Sequence, residues 1–248
     1  MTKREIAIRT DDGTASAGLF LPDAAIPAII RPGVLLYMDA FGPRPALDQM
    51  AERLAAEGYV VLVPDLFYRF GAYGPFDAKT AFKDEASARQ LRTMINETSQ
   101  AMTAADTAHF LDALADAGVD GPAGVVGYCM GGPRALSAAA AHPARIAAAA
   151  SFHGGHLASD RPDSPHLKAD AIRARVYVGA AGVDSSFPPE QAARLVEAFR
   201  AAEVDFVLEN YVGMAHGWCV PDNGVYDEAG AERHFRRLIT FFGETLKG

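Results

Sequence analysis

The chain has 248 residues, and half of them are hydrophobic, which is enough to bury one sizeable core. Its 31 acidic and 23 basic side chains give a formal charge of −8, which leaves no basic face for nucleic acid or anionic lipid. No uncharged stretch reaches the roughly 20 residues of a membrane span, and the charged start MTKREIAIRT does not resemble a signal peptide. We therefore expect a cytoplasmic protein, a monomer or small homo-oligomer, that binds neither nucleic acid nor membrane.

A β-hairpin is predicted at the start of the chain. Residues 4–10 and 15–22 alternate apolar and polar side chains on either side of a turn at residues 11–13. A continuous apolar run, VLLYM at residues 34–38, follows Pro32 and is typical of a strand that is buried on both faces.

Strands and helices alternate through the rest of the chain. A helix is predicted over residues 46–57, because Leu47, Met50 and Leu54 share one face and Gly58 ends the pattern. Further strands are predicted at residues 59–66, 123–129, 145–152, 173–180 and 205–211, and further helices at 132–143, 190–202 and 229–246. This alternation predicts an α/β fold, with a mostly parallel central sheet covered by helices on both faces. No repeat or linker divides the pattern, so we expect a single domain over residues 1–248.

One segment, residues 67–97, interrupts the alternation after the strand that ends in PDL. It is more charged and more aromatic than its surroundings, and it enters where a crossover normally runs straight into a helix. We predict a short helical insertion here. Since it follows the C-terminal end of a strand, where open α/β sheets bind ligands, it is a candidate lid over the site. A solvent-exposed helical segment with no role at the site fits its composition equally well.

The stretch GYCMGG, residues 127–132, places Cys129 between an apolar strand and an alanine-rich helix. This is the strand, turn and helix context of the GxSxG nucleophile elbow, with cysteine in place of serine. Such an elbow requires glycine at positions 127 and 131, because its backbone is strained and the neighbouring strand and helix leave no room for a Cβ. The N-terminus of the following helix favours a thiolate at Cys129. The alternatives are a small buried apolar filler, which is common for cysteine, and a phosphate-binding turn, which lacks its GKS, GKT or GxGxxG partners.

A candidate acid and a candidate base follow the cysteine in the chain order of α/β-hydrolase triads. Asp184 lies in the loop after one predicted strand, and His216 lies in the loop after the next. Asp184 has the alternative of capping the helix that follows, and His216 that of a surface loop histidine. The agreement of motif, order and loop placement favours a triad of Cys129, Asp184 and His216.

These motifs resemble the dienelactone hydrolase family of α/β-hydrolases. The likeness covers almost the whole chain, through YMDAFG, GYVVLVPDLFYR, VGYCMGG, GVDSSFPP and GMAHGW followed by a C-terminal helix. It implies an α/β-hydrolase fold, with Cys129 as nucleophile, His216 as base and Asp184 as the residue that orients it. It also implies an oxyanion hole from the backbone N–H groups of Ala40 and Met130. The predicted function is a cofactor-independent, carboxymethylenebutenolidase-like hydrolase that cleaves a small ester or lactone through a thioester acyl-enzyme.

The chain departs from the family at two places. Many members have glutamate where Asp39 stands in YMDAFG, and that acid is thought to neighbour the thiol. Members that hydrolyse dienelactones are also similar in holding the substrate carboxylate with two arginines, one in the inserted segment and one shortly after the catalytic histidine. Here the four residues after His216 are Gly217, Trp218, Cys219 and Val220, with no arginine among them. Arg69, Arg89 and Arg92 are the candidates for a single contact. The substrate can therefore differ from a dienelactone.

Three other residues have both a functional and a structural interpretation. His153 and His156 in FHGGH have metal-ligand spacing but lack the helical HExxH context, so we predict loop or pocket-lining histidines and no metal site. Trp218 is a candidate for lining an acyl pocket, with core packing as the default.

Two other functions stay open for the whole protein: a non-catalytic ligand-binding protein on the same fold, and an acyltransferase that uses the same thioester.

Overall fold

The computed structural model describes residues 2–23 and 31–247. Within these ranges the chain forms eight strands and six α-helices. In chain order they are β1 Thr2–Thr10, β2 Gly13–Leu21, β3 Gly33–Tyr37, α1 Pro45–Ala56, β4 Val60–Pro64, α2 Glu85–Glu97, α3 Gln100–Asp116, β5 Ala123–Tyr128, α4 Gly131–Ala141, β6 Ile146–Phe152, β7 Arg175–Val183, α5 Pro189–Ala201, β8 Phe206–Ala215 and α6 Glu228–Leu246.

All eight strands belong to one sheet in the order β1-β2-β4-β3-β5-β6-β7-β8. The hairpin strands β1 and β2 are antiparallel to each other, and β2 is antiparallel to β4; every other pair is parallel. Every residue of β3, β4 and β5 is buried, as expected for strands that are covered on both faces. The predicted mostly parallel α/β sheet is confirmed.

Helices form a layer on each side of this sheet. Helices α3 and α4 pack against one another, and α4 contacts β5 and β6. Helices α1 and α6 are joined by the ion pair of Arg53 with Glu232 and by the stacking of the Arg53 guanidinium over Phe235. No helix among the described residues is long and apolar enough to cross a bilayer.

The segment after β4 contains the predicted helix and leads into one that was not predicted. Helix α2 begins after Asp84, whose carboxylate accepts a hydrogen bond from Ser87 N–H at 2.8 Å. Helix α3 follows almost at once, and its buried positions include Thr103, Asp106 and Thr107. Because these buried positions are polar, the apolar periodicity that identifies a helix in a sequence is weak in α3.

Parallel strands place their carboxyl ends at a common edge of the sheet. Cys129 follows β5, Asp184 follows β7 and His216 follows β8, so all three candidate residues reach the same edge. The strand order, with β6 and β7 between β5 and β8, brings residues that are 32 to 87 positions apart in the chain into one region.

Candidate active site

Cys129 occupies a strained turn between β5 and α4. Its φ is +55°, in the left-handed region that residues other than glycine seldom adopt. A Cβ on Gly127 would lie 2.0 Å from the carbonyl oxygen of Gly131, and one on Gly131 would lie 2.6 Å from that of Met38. Any side chain at either glycine would therefore collide with backbone, which is the physical reason for the glycine requirement that the motif predicted.

His216 and Asp184 form a hydrogen-bonded pair at the same edge of the sheet. The distance from His216 Nδ1 to Asp184 Oδ2 is 2.7 Å, and the Asp184 side chain is only 3% exposed. The other carboxylate oxygen of Asp184 accepts hydrogen bonds from Ser186 Oγ at 2.6 Å and Ser186 N–H at 2.8 Å. Burial opposes ionisation of Asp184, but the bonds from His216 and Ser186 outweigh it and hold the pKa of this carboxyl below its usual value. Asp184 is thus a fixed anion that orients the imidazole.

The imidazole of His216 is polarised from both sides. Burial favours its neutral form, but the negative charge of Cys129 and the hydrogen bonds to Asp184 and Cys129 outweigh burial and raise the pKa of His216 to about 10. Since Asp184 occupies Nδ1, the ring nitrogen left for Cys129 is Nε2. This geometry lets the imidazole exchange a proton with the Cys129 sulfur.

Two backbone N–H groups lie beside the cysteine. Ala40, in the loop after β3, and Met130, the first residue after Cys129, both line the same cavity as Cys129 and His216. Within residues 2–23 and 31–247, neither N–H donates a hydrogen bond to another part of the chain. Both donors are therefore free of hydrogen-bond partners within the described part of the chain.

The cavity has a volume of about 230 Å³ and is lined by both apolar and polar side chains. The apolar ones include Phe82 and Ile95 from the inserted segment and Pro133 from α4. The polar ones include Arg134, Arg161, Asp163 and the hydroxyl side chains of Ser159, Ser164 and Ser186. A ligand that carries both apolar and polar groups matches this lining.

Arg134 is a buried cation without a carboxylate partner among the described residues. Its side chain begins one turn into α4, and the residue is only 5% exposed. The guanidinium donates to the carbonyl oxygens of Met130 at 2.8 Å, Ile95 at 3.3 Å and Thr98, while its Nε–H is buried without a partner. Burial lowers the pKa of Arg134 to about 10, a shift that the negative charge of Cys129 moderates. Arg134 consequently remains charged at neutral pH.

Sequence reasoning missed Arg134 and Ser186, although the first left a signal. Arg134 is the single charged residue of α4, whose other residues are glycine, proline, alanine, leucine and serine. A lone charge in a helix of small residues indicates a buried charge with a specific use. Ser186 left no such signal, because serine near a loop aspartate is ordinary.

The structure does not bring the three predicted arginines to this cavity. Arg69 is held by Asp106 at 2.8 and 2.9 Å and by Asp12 at 2.7 and 3.0 Å. Arg89 and Arg92 lie on the outer side of α2, along a groove outside the cavity, and Arg89 pairs with Glu85 one turn earlier. The arginines at the cavity are Arg134 and Arg161 instead, which corrects the sequence-based candidates.

The side chains of Trp218 and Asp39 both contact other residues of the protein: Trp218 packs in the core, and Asp39 pairs with an arginine. Trp218 is fully buried and packs against Tyr211 with 4.7 Å between ring centroids, so it belongs to the core and not to the cavity wall. Both carboxylate oxygens of Asp39 bind Arg44, at 2.7 and 2.9 Å, and Arg44 in turn binds Asp222 at 2.6 and 2.8 Å. The predicted influence of Asp39 on the thiol stays a prediction.

Comparison with known proteins points to one family. The family model described as "Dienelactone hydrolase family" matches residues 16–246. A carboxymethylenebutenolidase from Rhodococcus opacus is 28% identical over 217 residues, which cover 86% of this chain and 81% of that protein. The structure of a dienelactone hydrolase-like promiscuous phosphotriesterase from metagenomic libraries is 25% identical, with a TM-score of 0.78 over 98% of both chains. A Klebsiella pneumoniae protein of known structure shares the fold, with a TM-score of 0.83 at 24% identity over 98% of both chains.

Proposed function

This chain belongs to the dienelactone hydrolase family, and we propose that it hydrolyses a carboxylic ester or lactone with Cys129 as the nucleophile. One observation carries the proposal. A cysteine with φ of +55° at the end of β5 shares a cavity with a histidine that is bonded to a buried aspartate. A structural cysteine has no need of a strained, half-exposed position beside a polarised imidazole.

The first half of the reaction forms an acyl-enzyme. His216 accepts the thiol proton, and the Cys129 thiolate attacks the carbonyl carbon to give a tetrahedral intermediate. The developing oxyanion accepts hydrogen bonds from the N–H groups of Ala40 and Met130, each worth about 3 kcal/mol in comparable sites. When the intermediate collapses, the C–O bond to the leaving group breaks and His216 returns its proton to that oxygen. The product is a thioester on Cys129.

The second half restores the free enzyme. Neutral His216 removes a proton from a water molecule, and the resulting hydroxide attacks the thioester carbonyl. Collapse of this second tetrahedral intermediate breaks the C–S bond and releases the carboxylic acid, and His216 returns its proton to the Cys129 sulfur. Asp184 keeps the imidazole in the tautomer and orientation that both halves require, since it holds Nδ1 throughout.

The cavity supports a substrate that is small and anionic. Its volume is below the range of about 300–1,000 Å³ that accommodates drug-sized ligands. Arg134 and Arg161 both line the cavity. Arg161 is paired with Asp163 at 3.1 Å, whereas Arg134 has no carboxylate partner among the described residues, so its positive charge favours a carboxylate on the substrate. The name of the Rhodococcus opacus relative, carboxymethylenebutenolidase, describes a lactone that carries such a carboxylate. We infer a carboxylate-bearing ester or lactone as the substrate class.

The nucleophile is tested with two cysteine variants. Wild type, Cys129→Ala and Cys219→Ala are compared on a dienelactone and on a short-chain p-nitrophenyl ester. Cys219 is fully buried, so its variant controls for loss of a thiol elsewhere. We expect Cys219→Ala to keep its turnover and Cys129→Ala to lose it, with a mass increase on Cys129 trapped at short times in wild type. Wild-type turnover by Cys129→Ala would refute the proposal.

A further inference from the structure

His153 touches two members of the proposed triad from behind the cavity. It follows β6 directly, with φ of +38°, and it is only 1% exposed. Its Nδ1 accepts a hydrogen bond from the backbone N–H of Cys129 at 3.1 Å, and its ring packs edge-to-face against His216 with centroids 4.9 Å apart. It does not line the cavity, so it does not touch the substrate.

The hydrogen bond holds the strained residue of the nucleophile turn. The N–H of Cys129 is shared between His153 Nδ1 and the carbonyl oxygen of Phe152 at 3.2 Å. His153 is itself anchored, because its own N–H donates to the carbonyl oxygen of Gly179 at 2.9 Å. The left-handed backbone of Cys129 is thus tied to the neighbouring strands β6 and β7.

Among the described residues, the hydrogen bond that Nδ1 accepts from Cys129 N–H is the one hydrogen bond of the His153 ring. An Nδ1 that accepts from N–H carries no proton, so the neutral ring has its proton on Nε2, which is buried without a partner among the described residues. Burial, together with the positive charge of nearby His216, lowers the pKa of His153 well below its ordinary value and keeps it neutral. Trp218 packs on the ring at 5.3 Å and prevents it from moving away.

From these contacts we propose that His153 is a positioning residue that fixes the distance between the Cys129 thiol and the His216 imidazole. It accepts a hydrogen bond from the backbone N–H of Cys129 and packs against the imidazole ring of His216. The inference rests on the proposed roles of Cys129 and His216. Displacement of reacting groups by about 1 Å can cost about a hundredfold in rate, so this support has kinetic consequences.

The test uses two variants of His153 and a matched control. His153→Phe keeps a ring and removes the acceptor, whereas His153→Asn keeps an acceptor oxygen near the Nδ1 position and removes the ring. His234→Phe is the control: His234 is fully buried in the same aromatic cluster, 4.2 Å from Phe152, and bonds Tyr128 Oη at 2.9 Å. No contact joins His234 to Cys129 or His216 among the described residues.

Two measurements separate positioning from a merely structural role. The first is the rate of alkylation of Cys129 by iodoacetamide as a function of pH, read by peptide mass spectrometry. The second is kcat and KM for a p-nitrophenyl ester, with thermal unfolding recorded alongside. For His153→Phe we expect alkylation at pH 7 to fall at least tenfold with its midpoint at higher pH, and kcat to fall roughly 10- to 100-fold with little change in KM. His153→Asn should alkylate faster than His153→Phe, and His234→Phe should keep the wild-type rates while losing stability.

Wild-type alkylation and kcat in a less stable His153→Phe would overturn the proposal. If that variant does not fold, His153→Asn and His153→Gln decide instead. Glutamine carries its oxygen one methylene farther from its own main chain, away from the position of Nδ1 that accepts from the Cys129 N–H; equal alkylation rates would then overturn the proposal. Alkylation needs no substrate. A wild-type protein that alkylates normally but hydrolyses no ester would therefore contradict the proposed function and leave this test intact.

Discussion

The substitution Arg134→Met removes the buried guanidinium while keeping a long side chain that fills the same space. Arg134 lines the cavity, is 5% exposed and has no carboxylate partner among the described residues, so its charge acts on a substrate carboxylate with little competition or screening. A hydrogen bond to a charged group contributes about 1.5–3 kcal/mol. At about 1.4 kcal/mol per factor of ten, the variant should lose roughly 10- to 150-fold in kcat/KM for a carboxylate-bearing ester.

A pair of esters separates this effect from general damage. The substitution also deprives the carbonyl oxygens of Met130, Ile95 and Thr98 of their donor, which will reduce activity on any substrate. The assay therefore compares mono-p-nitrophenyl succinate with p-nitrophenyl pentanoate, which replaces the carboxylate by an ethyl group. The quantity of interest is the ratio of the two kcat/KM values, because a shared loss cancels in it.

The control variant is Arg89→Met, whose side chain is 77% exposed on α2 outside the cavity. It should leave the ratio unchanged, within about a factor of two for a screened surface charge. A ratio in Arg134→Met equal to that of wild type would refute the assignment of Arg134 as the carboxylate site and return the choice to Arg161 or to a neutral substrate.

Three other expectations follow from the geometry of the turn and of the triad. Gly131→Ala should lower the free energy of unfolding by more than about 2 kcal/mol in urea titrations, because its Cβ would lie 2.6 Å from Met38 O; Gly243→Ala, with nothing within 4 Å, should not. Asp184→Asn should reduce kcat at pH 7 by about 10²- to 10⁴-fold at near-native stability, since the amide no longer selects the required tautomer; a loss below threefold would contradict the role of Asp184. The pKa of His216 is raised to about 10 from 6.5, so its ionic contribution to stability is complete below about pH 6.5 and lost as pH rises through 10. The difference in unfolding free energy between wild type and His216→Gln should shrink across that interval, and a difference that grows would show the opposite linkage.

Two features of the site were predictable from the sequence: the local structure of the nucleophile turn, and the placement of Asp184 and His216 after successive strands. The sequence signal for the nucleophile turn lies within residues 127–132, and its glycines are required because a Cβ would clash with backbone of the turn itself and of Tyr37 and Met38. The positions of Asp184 and His216 after β7 and β8 follow from parallel strands, whose carboxyl ends share one edge of the sheet. Apolar runs predicted the strands and helical periodicity predicted other helices. The same signals missed α3, where Thr103, Asp106 and Thr107 occupy half of the buried positions.

Only the tertiary structure decided which charged and polar side chains face the cavity. Arg69 lies in the segment where a substrate contact was expected, but Asp12 and Asp106, 57 and 37 positions away, bind its guanidinium. Arg134 points to carbonyl groups of α2 and the following turn, and His153 reaches the backbone of Cys129 from the end of the neighbouring strand β6. These outcomes depend on the direction of each side chain and on the competing partners that distant segments supply. Periodicity and spacing carry information about the backbone, and the pairing of a buried charge is settled only when every segment around it is in place.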